Sequence, residues 1–222
     1  MEYKGAGMSR NKPTSRVKTA RKRKQSSTLW LKRQLNDPYV SKAKEEGYRG
    51  RAAYKLKEMD DKLHLLKPGM KVVDLGSAPG GWSQIAAAKK CHIVAIDLLE
   101  MDEIPGVQFI QMDFMDDEAP ARLKEMLDGP ADLVLSDMAP NTTGHKQTDH
   151  IRIMAVVEAA YMFACEVLKP GGTFVAKVFQ GGAQNTLIAE MKKSFKTVKH
   201  IKPPASRKES SEQYVVASGF RG

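Results

Sequence analysis

The sequence predicts an α/β fold, a mostly parallel seven-stranded sheet covered on both faces by helices, and three observations carry that expectation. Beyond Lys67-Pro68-Gly69, short apolar runs alternate regularly with helical patterns. The first run, Val72 to Leu75, passes through a glycine-rich turn, Gly76 to Gly81, into a helical pattern that begins at Trp82. The 222 residues, 41% of them hydrophobic, can bury one good core, which favours one domain plus a tail over two domains.

The tail comes first. Residues 1–30 hold nine Lys or Arg against the single acid Glu2, so they carry +8 of the net charge of +10. Residues 1–29 have Ser, Thr and Asn but little to pack, and are expected to stay disordered until they meet a partner. A polyanion is the natural one, because each phosphate contact releases counterions; a merely solubilising arm is the alternative. Residues 30–222 form the domain, opening with helices over 37–62. Asp37 to Gly47 and Arg51 to Lys62 read as two short helices, broken at Gly47 and Gly50, with Tyr39, Tyr48, Tyr54, Leu56 and Met59 available for packing. Arg49, Arg51 and Lys55 lie among these aromatics. They could grip a nucleic-acid backbone, or they could be the solvated face over a packed one.

The strands follow in order: Val72 to Leu75, His92 to Asp97, Val107 to Gln111, Ala131 to Ser136, Thr173 to Val178, Thr197 to Ile201 and Gln213 to Ser218. Helices are expected at Trp82 to Lys90, Glu118 to Leu127, Ile151 to Leu168 and Thr186 to Phe195. The third of these ends at Lys169-Pro170-Gly171, a stop signal. Leu98 to Gly106 is too short to read as a helix. Crossover helices between strands mean a mostly parallel sheet.

The glycine turn lets a ligand approach the backbone and leaves amides free at a helix start. It is not the dinucleotide fingerprint, because Gly76 is followed by Ser77, Ala78, Pro79, Gly80 and Gly81. Nor is it a phosphate loop, since no Gly-Lys-Ser or Gly-Lys-Thr follows. A ligand without a pyrophosphate remains. S-adenosyl-L-methionine fits, with its ribose diol, adenine and zwitterionic methionine end; other ligands and a purely structural turn stay open.

Ligands of such sheets sit beyond the carboxyl ends of the strands. Asp97, Asp113, Asp137 and Lys177 all fall there. Asp97 either caps the next turn or accepts a ribose diol. Asp113 is a turn former or an acceptor for an adenine amino group. Asp137, in Ser136-Asp137-Met138-Ala139-Pro140-Asn141, is a helix cap or a carboxylate that orients a reacting group. Lys177 lies inside the apolar run Phe174 to Phe179, so it must snorkel out or be held by partners. If the sixth strand is parallel and the last antiparallel to it, the loop over 201–212 returns to the same rim. Glu212 or Glu209 then joins the acids, and Lys55 could reach them from the N-terminal helices.

Together these stretches resemble the FtsJ-like, heat-shock-type ribosomal RNA large-subunit ribose 2'-O-methyltransferases. The resemblance rests on Arg51 to Leu56, Lys67 to Gln84, Ala95 to Leu99, Ser136 to Asn141, Leu168 to Gly181 and the ending from Ser206 to Gly219, and covers the chain from about Trp30 onward. It implies a Rossmann-like class I S-adenosyl-L-methionine-dependent methyltransferase fold with an antiparallel last strand. It also implies a catalytic set of Lys55, Asp137, Lys177 and Glu212. Donor contacts would fall on Gly80, Trp82, Asp97 at the ribose, Asp113 near the adenine and Asp137 at the reacting end. The expected reaction is methylation of a ribose 2'-hydroxyl, at a uridine of 23S-type ribosomal RNA within a large ribosomal subunit or its precursor. A transfer RNA substrate, or a non-catalytic RNA-binding assembly factor that keeps the shell, are the alternatives. Ser77 stands where many members have alanine, and the basic arm is longer than in compact members.

The chemistry agrees. A ribose hydroxyl is a poor nucleophile, so the site must align it with the methyl group and accept its proton. Lys177 is the leading candidate for that base, with Asp137 orienting it and Lys55 and Glu212 positioning the hydroxyl. No metal is implied, because no His or Cys accompanies the dispersed acids. Cys91 and Cys165 read as buried thiols in a reducing compartment. With no apolar run of membrane-spanning length, no membrane partner is expected, and a cytoplasmic monomer is.

Overall fold

A computed structural model describes residues 32, 34–140, 144–179 and 184–222. The basic segment 1–29 lies outside the described residues, as do Asn141, Gln180 and Gly181 of the stretches named above.

Seven strands form one sheet: β1 (Lys71–Leu75), β2 (His92–Asp97), β3 (Val107–Gln111), β4 (Ala131–Ser136), β5 (Leu168–Phe179), β6 (Phe195–Ile201) and β7 (Glu212–Phe220). Their order is β3-β2-β1-β4-β5-β7-β6. The pairs from β3 to β5 are parallel, while β7 runs antiparallel to both β5 and β6. The expected antiparallel last strand is therefore present. Strand order reverses between β1 and β4, which opens a crevice at their carboxyl ends.

Alternation along each strand divides the core in two. Val73, Leu75, Val94 and Ile96 point to one face and meet α4 (Ala119–Leu127), α5 (Lys146–Val167) and α6 (Gln184–Ser194). Val72, Ile93, Ala95, Val175 and Val216 point to the other and meet α2 (Ala52–Leu63) and α3 (Gly81–Ala88). Ahead of α2 lies α1 (Pro38–Glu45), capped by Asp37, whose Oδ1 accepts the Tyr39 amide at 3.1 Å.

On α2 the apolar spacing seats Leu56 and Met59 in the core, both fully buried. Each such side chain contributes about 1.5–3 kcal/mol, which fixes the helix against the sheet. The three tyrosines pack on one another: Tyr39 and Tyr48 each place a ring centroid 5.3 Å from that of Tyr54. The packing reading of this aromatic stretch is the one the structure supports.

Two boundaries differ most from expectation, each by five residues, while the others shift by two or fewer. Helix α5 begins at Lys146, five residues ahead of Ile151, because its first turn is polar and lacks apolar periodicity; there the Gly144 amide donates to Asp149 Oδ2 at 3.1 Å. Strand β5 begins at Leu168, within the expected helix end. Leu168 pairs with Ala131 and Thr173 with Leu133, so Lys169 to Gly172 loop out as a bulge with Gly171 at φ 86°.

Candidate active site

Strand register builds the rim. Ile96 pairs with Leu75, Leu75 with Ser136, and Ser136 with Ala176. The next residues, Asp97, Gly76, Asp137 and Lys177, therefore stand level across four adjacent strands, and Lys177 pairs with Tyr214 on β7. At about 4.8 Å per strand, Asp97 stands roughly 10 Å from Asp137, with Gly76 between them.

At the Asp97 end the backbone is locked. Gly76 has φ 78°, and a Cβ there would lie 2.6 Å from Met138 Cγ, so only glycine lets the turn after β4 cross so closely. The Gly76 and Ser77 amides both donate to Ile96 O, at 2.9 and 3.1 Å. Asp97 Oδ2 accepts the Ala78 amide at 2.9 Å, and Oδ1 accepts the Leu99 amide at 2.8 Å. It does cap its turn, yet each oxygen keeps a lone pair for a ligand hydroxyl. Asp113, after β3, likewise caps its own turn through the Met115 amide at 2.9 Å.

Gly80, at φ 103°, starts α3, whose first-turn amides have no intrahelical acceptors. A side chain on Gly80 would strike Ile104, Met101 and Arg49, so this glycine also serves protein packing. The Trp82 indole is buried, tilted against Tyr214 at 5.5 Å, and donates to Ala52 O at 2.8 Å. Its ring fastens α3 to α2, so the indole is committed to the protein.

At the other end six side chains form a continuous chain. Lys177 Nζ lies 3.1 Å from Asp137 Oδ1 and donates to Asp137 O at 2.5 Å. Asp137 Oδ1 also accepts the Tyr214 hydroxyl at 2.6 Å. Lys55 Nζ donates to that same hydroxyl at 3.0 Å and pairs with Glu212 Oε1 at 2.7 Å. Ser206 Oγ donates to Glu212 Oε1 at 2.9 Å. Lys55, Asp137, Lys177 and Glu212 are thus gathered from α2, the turn after β4, β5 and β7. Glu209 is exposed and does not join them.

Burial pushes the Asp137 carboxyl up, but Lys177, Lys55 and the Tyr214 hydroxyl outweigh it and hold the group below the ordinary carboxylate range. Burial, reinforced by Asp137 and Glu212, raises the Tyr214 phenol far above its ordinary value, so it remains a hydrogen-bond donor. The sequence reading did not single out Tyr214. Its signal was parity: it lies two residues after Glu212, hence on the same face of β7.

Arg49 and Arg51 are spent on the protein. Arg49 donates to Pro79 O, Asp102 O and Glu103 O at 3.2, 2.7 and 2.7 Å. Arg51 pairs with Asp37 at 3.0 Å.

A family profile described as FtsJ-like methyltransferase matches residues 48–220. The chain is 65% identical over 212 residues to the ribosomal RNA large subunit methyltransferase E of Rhodopseudomonas palustris (strain BisB5), covering 93% of this chain and 90% of that one. It is also 65% identical to the protein of that name from Bradyrhizobium diazoefficiens, covering 93% of each. Among solved structures, one described as a ribosomal RNA methyltransferase from Plasmodium falciparum superposes with a TM-score of 0.69 at 34% identity. That match covers 79% of this chain and 100% of that one.

Proposed function

The chain belongs to the FtsJ-like methyltransferase family, and on that premise we propose that it methylates a ribose 2'-hydroxyl of 23S-type ribosomal RNA with S-adenosyl-L-methionine. The observation that carries the reading is the buried chain from Lys177 through Asp137 and Tyr214 to Lys55 and Glu212, set at the strand ends beside a glycine loop.

The rim suits the donor. Asp97 has lone pairs to spare for a ribose diol, Asp113 stands one strand further out for the adenine, and the first-turn amides of α3 face the methionine end. S-adenosyl-L-methionine, when bound, supplies a methyl group on a positive sulfonium, which leaves as a neutral thioether. Asp137, kept anionic, favours that positive charge before transfer and holds Lys177 in place. As an ammonium, Lys177 donates twice to Asp137, to Oδ1 and to the backbone oxygen. With one proton given up to solvent, its remaining two N–H groups can keep both contacts and the lone pair turns outward. With the donor bound, that lone pair would accept the proton of the 2'-hydroxyl and so free its oxygen to take up the methyl group. Lys55, steadied by Glu212 and Tyr214, is a fixed donor for the substrate oxygen or a neighbouring phosphate.

The occupant of this site is RNA in a large ribosomal subunit or its precursor, met in the cytoplasm by a monomer. Mass-spectrometric mapping of ribose methylation in cells with and without the gene tests this. One 2'-O-methyl mark, expected at a uridine of large-subunit RNA, should disappear with the gene. Unchanged large-subunit RNA and a lost mark in transfer RNA would move the substrate assignment there.

A further inference from the structure

The far end of the same sheet face holds a second cavity, of about 550 Å³, walled by Leu63 and Leu65 at the end of α2 and by Val216 of β7. Register gives its floor a row of hydroxyls: Thr173 of β5 pairs with Ser218 of β7, and Ser218 with Thr197 of β6. Lys67, Lys169 and Lys199 stand around it, against the single acid Asp132. Asp132 is already committed, to the Lys169 ammonium and to the Lys71 amide at 2.8 Å. Among the described residues neither Lys67 nor Lys199 has an ion-pair partner, and both are exposed. The cavity is therefore net positive, with an apolar wall and neutral hydrogen-bond donors beneath.

This positive charge is not a general property of the domain. Outside residues 1–30 the chain has 27 Lys or Arg and 25 Asp or Glu, from totals of 36 and 26 less the nine and one of the arm. Yet from Lys192 to Lys208, through β6 and the loop beyond it, there are seven Lys or Arg and no acid. Lys193 is paired with Glu190 and Arg207 with Asp37, and Lys199 is the one of the seven that lines the cavity, so this run adds a positive excess beside it that suits a polyanion.

We propose that this cavity is a second RNA-binding site, taking a nucleotide whose phosphate meets Lys67, Lys199 and the Thr197 and Ser218 hydroxyls while its base or sugar rests on the apolar wall. The choice of RNA as occupant rests on the function proposed above. Helix α2 links the two sites. Lys55 near its start reaches the catalytic chain and Leu63 at its end walls the cavity, eight residues or about 12 Å along the axis. Along β5, Thr173 is likewise about 13 Å from Lys177 on the same face. The RNA held here is thus a segment distinct from the nucleotide being methylated, and its role is to anchor and register the substrate.

The test is binding of the full-length chain to large ribosomal subunits lacking the methyl mark, across about 50 to 200 mM salt. The double variant Lys67→Gln, Lys199→Gln should flatten the log–log salt slope by about 1.4 to 1.8 and lower affinity roughly tenfold. Donor affinity and the rate of methyl transfer at saturating subunit should stay as in the wild type. Thr197→Val with Ser218→Ala, which removes no charge, should lower affinity roughly two- to tenfold at an unchanged slope. A control pair on α1 and α4, Lys44→Gln with Lys124→Gln, should leave the slope alone. An unchanged slope in the Lys67, Lys199 variant overturns the proposal, as does an equal flattening in the control. Failure of the wild type to methylate RNA would count against the proposed function instead, since the binding comparison is read independently.

Discussion

Asp74 lies wholly buried in β1, two residues before the glycine turn, with Oδ2 accepting the Ser83 hydroxyl at 2.7 Å and Oδ1 without a partner among the described residues. Burial, offset in part by Ser83 and reinforced by Asp137 and Asp97, raises its carboxyl to about 7 from an ordinary value of 3.8. The folded state therefore holds this proton more tightly than the unfolded one. The group's contribution to stability is full below pH 4, falls as pH rises toward 7, and is lost above it, a swing of about 4 kcal/mol. Asp74→Asn removes the swing: urea unfolding should show the variant gaining on the wild type between pH 5 and pH 8, and a constant difference would contradict the assignment. Asp97 is the other residue with a separable task. Asp97→Ala should weaken S-adenosyl-L-methionine binding by about 1–3 kcal/mol, read by calorimetry; undiminished binding would remove it from the donor site. The sequence exposed charged residues at strand ends well, since that position has few structural uses for a charge. It concealed Tyr214, because a tyrosine in a buried strand looks like core until its hydroxyl is seen to bridge Asp137 and Lys55.

Among the elements, the short helices ahead of the sheet are stitched to the donor loop by polar contacts. Arg49 reaches the Pro79, Asp102 and Glu103 carbonyls, and Gln84 receives the Arg49 amide at 3.1 Å and donates to Gly47 O at 2.9 Å. The module that delivers Lys55 is thus tied to the turn that would hold the donor. Arg49→Ala should speed amide hydrogen exchange across residues 98–106 and weaken donor binding several-fold, with little change in global unfolding. Exchange at the wild-type rate would show that the loop is held by other contacts. Strands β2, β3 and β4 were legible to the residue because apolar runs bounded by turn formers leave little choice. The start of α5 and the bulge opening β5 were not. A polar first turn has no periodicity to detect, and Lys169-Pro170-Gly171 stops a helix whether or not a strand has already begun.

At the scale of the molecule, the site exists only through the topology. Lys55, Asp137, Lys177 and Glu212 span 158 positions of sequence, counted from 55 to 212, and meet because β7 inserts antiparallel between β5 and β6. Periodicity could foresee the sheet but left Glu212 and Glu209 level; the family resemblance favoured Glu212, and the register that sets Glu212 opposite Phe179 and beside Lys55 gives the physical reason. On the proposed function, this assembly moves a proton from a ribose hydroxyl to Lys177 during methyl transfer. The most direct test of that claim is single-turnover methylation of large ribosomal subunits by Lys177→Ala and Lys177→Arg, with donor affinity measured in parallel. Both variants should bind S-adenosyl-L-methionine nearly as the wild type does, yet lose about 10²- to 10⁴-fold in rate, arginine included because it keeps the charge but cannot become a neutral base. Retention of more than about a tenth of the wild-type rate by Lys177→Ala would contradict the claim and leave alignment of the hydroxyl, with water taking the proton, as the source of catalysis.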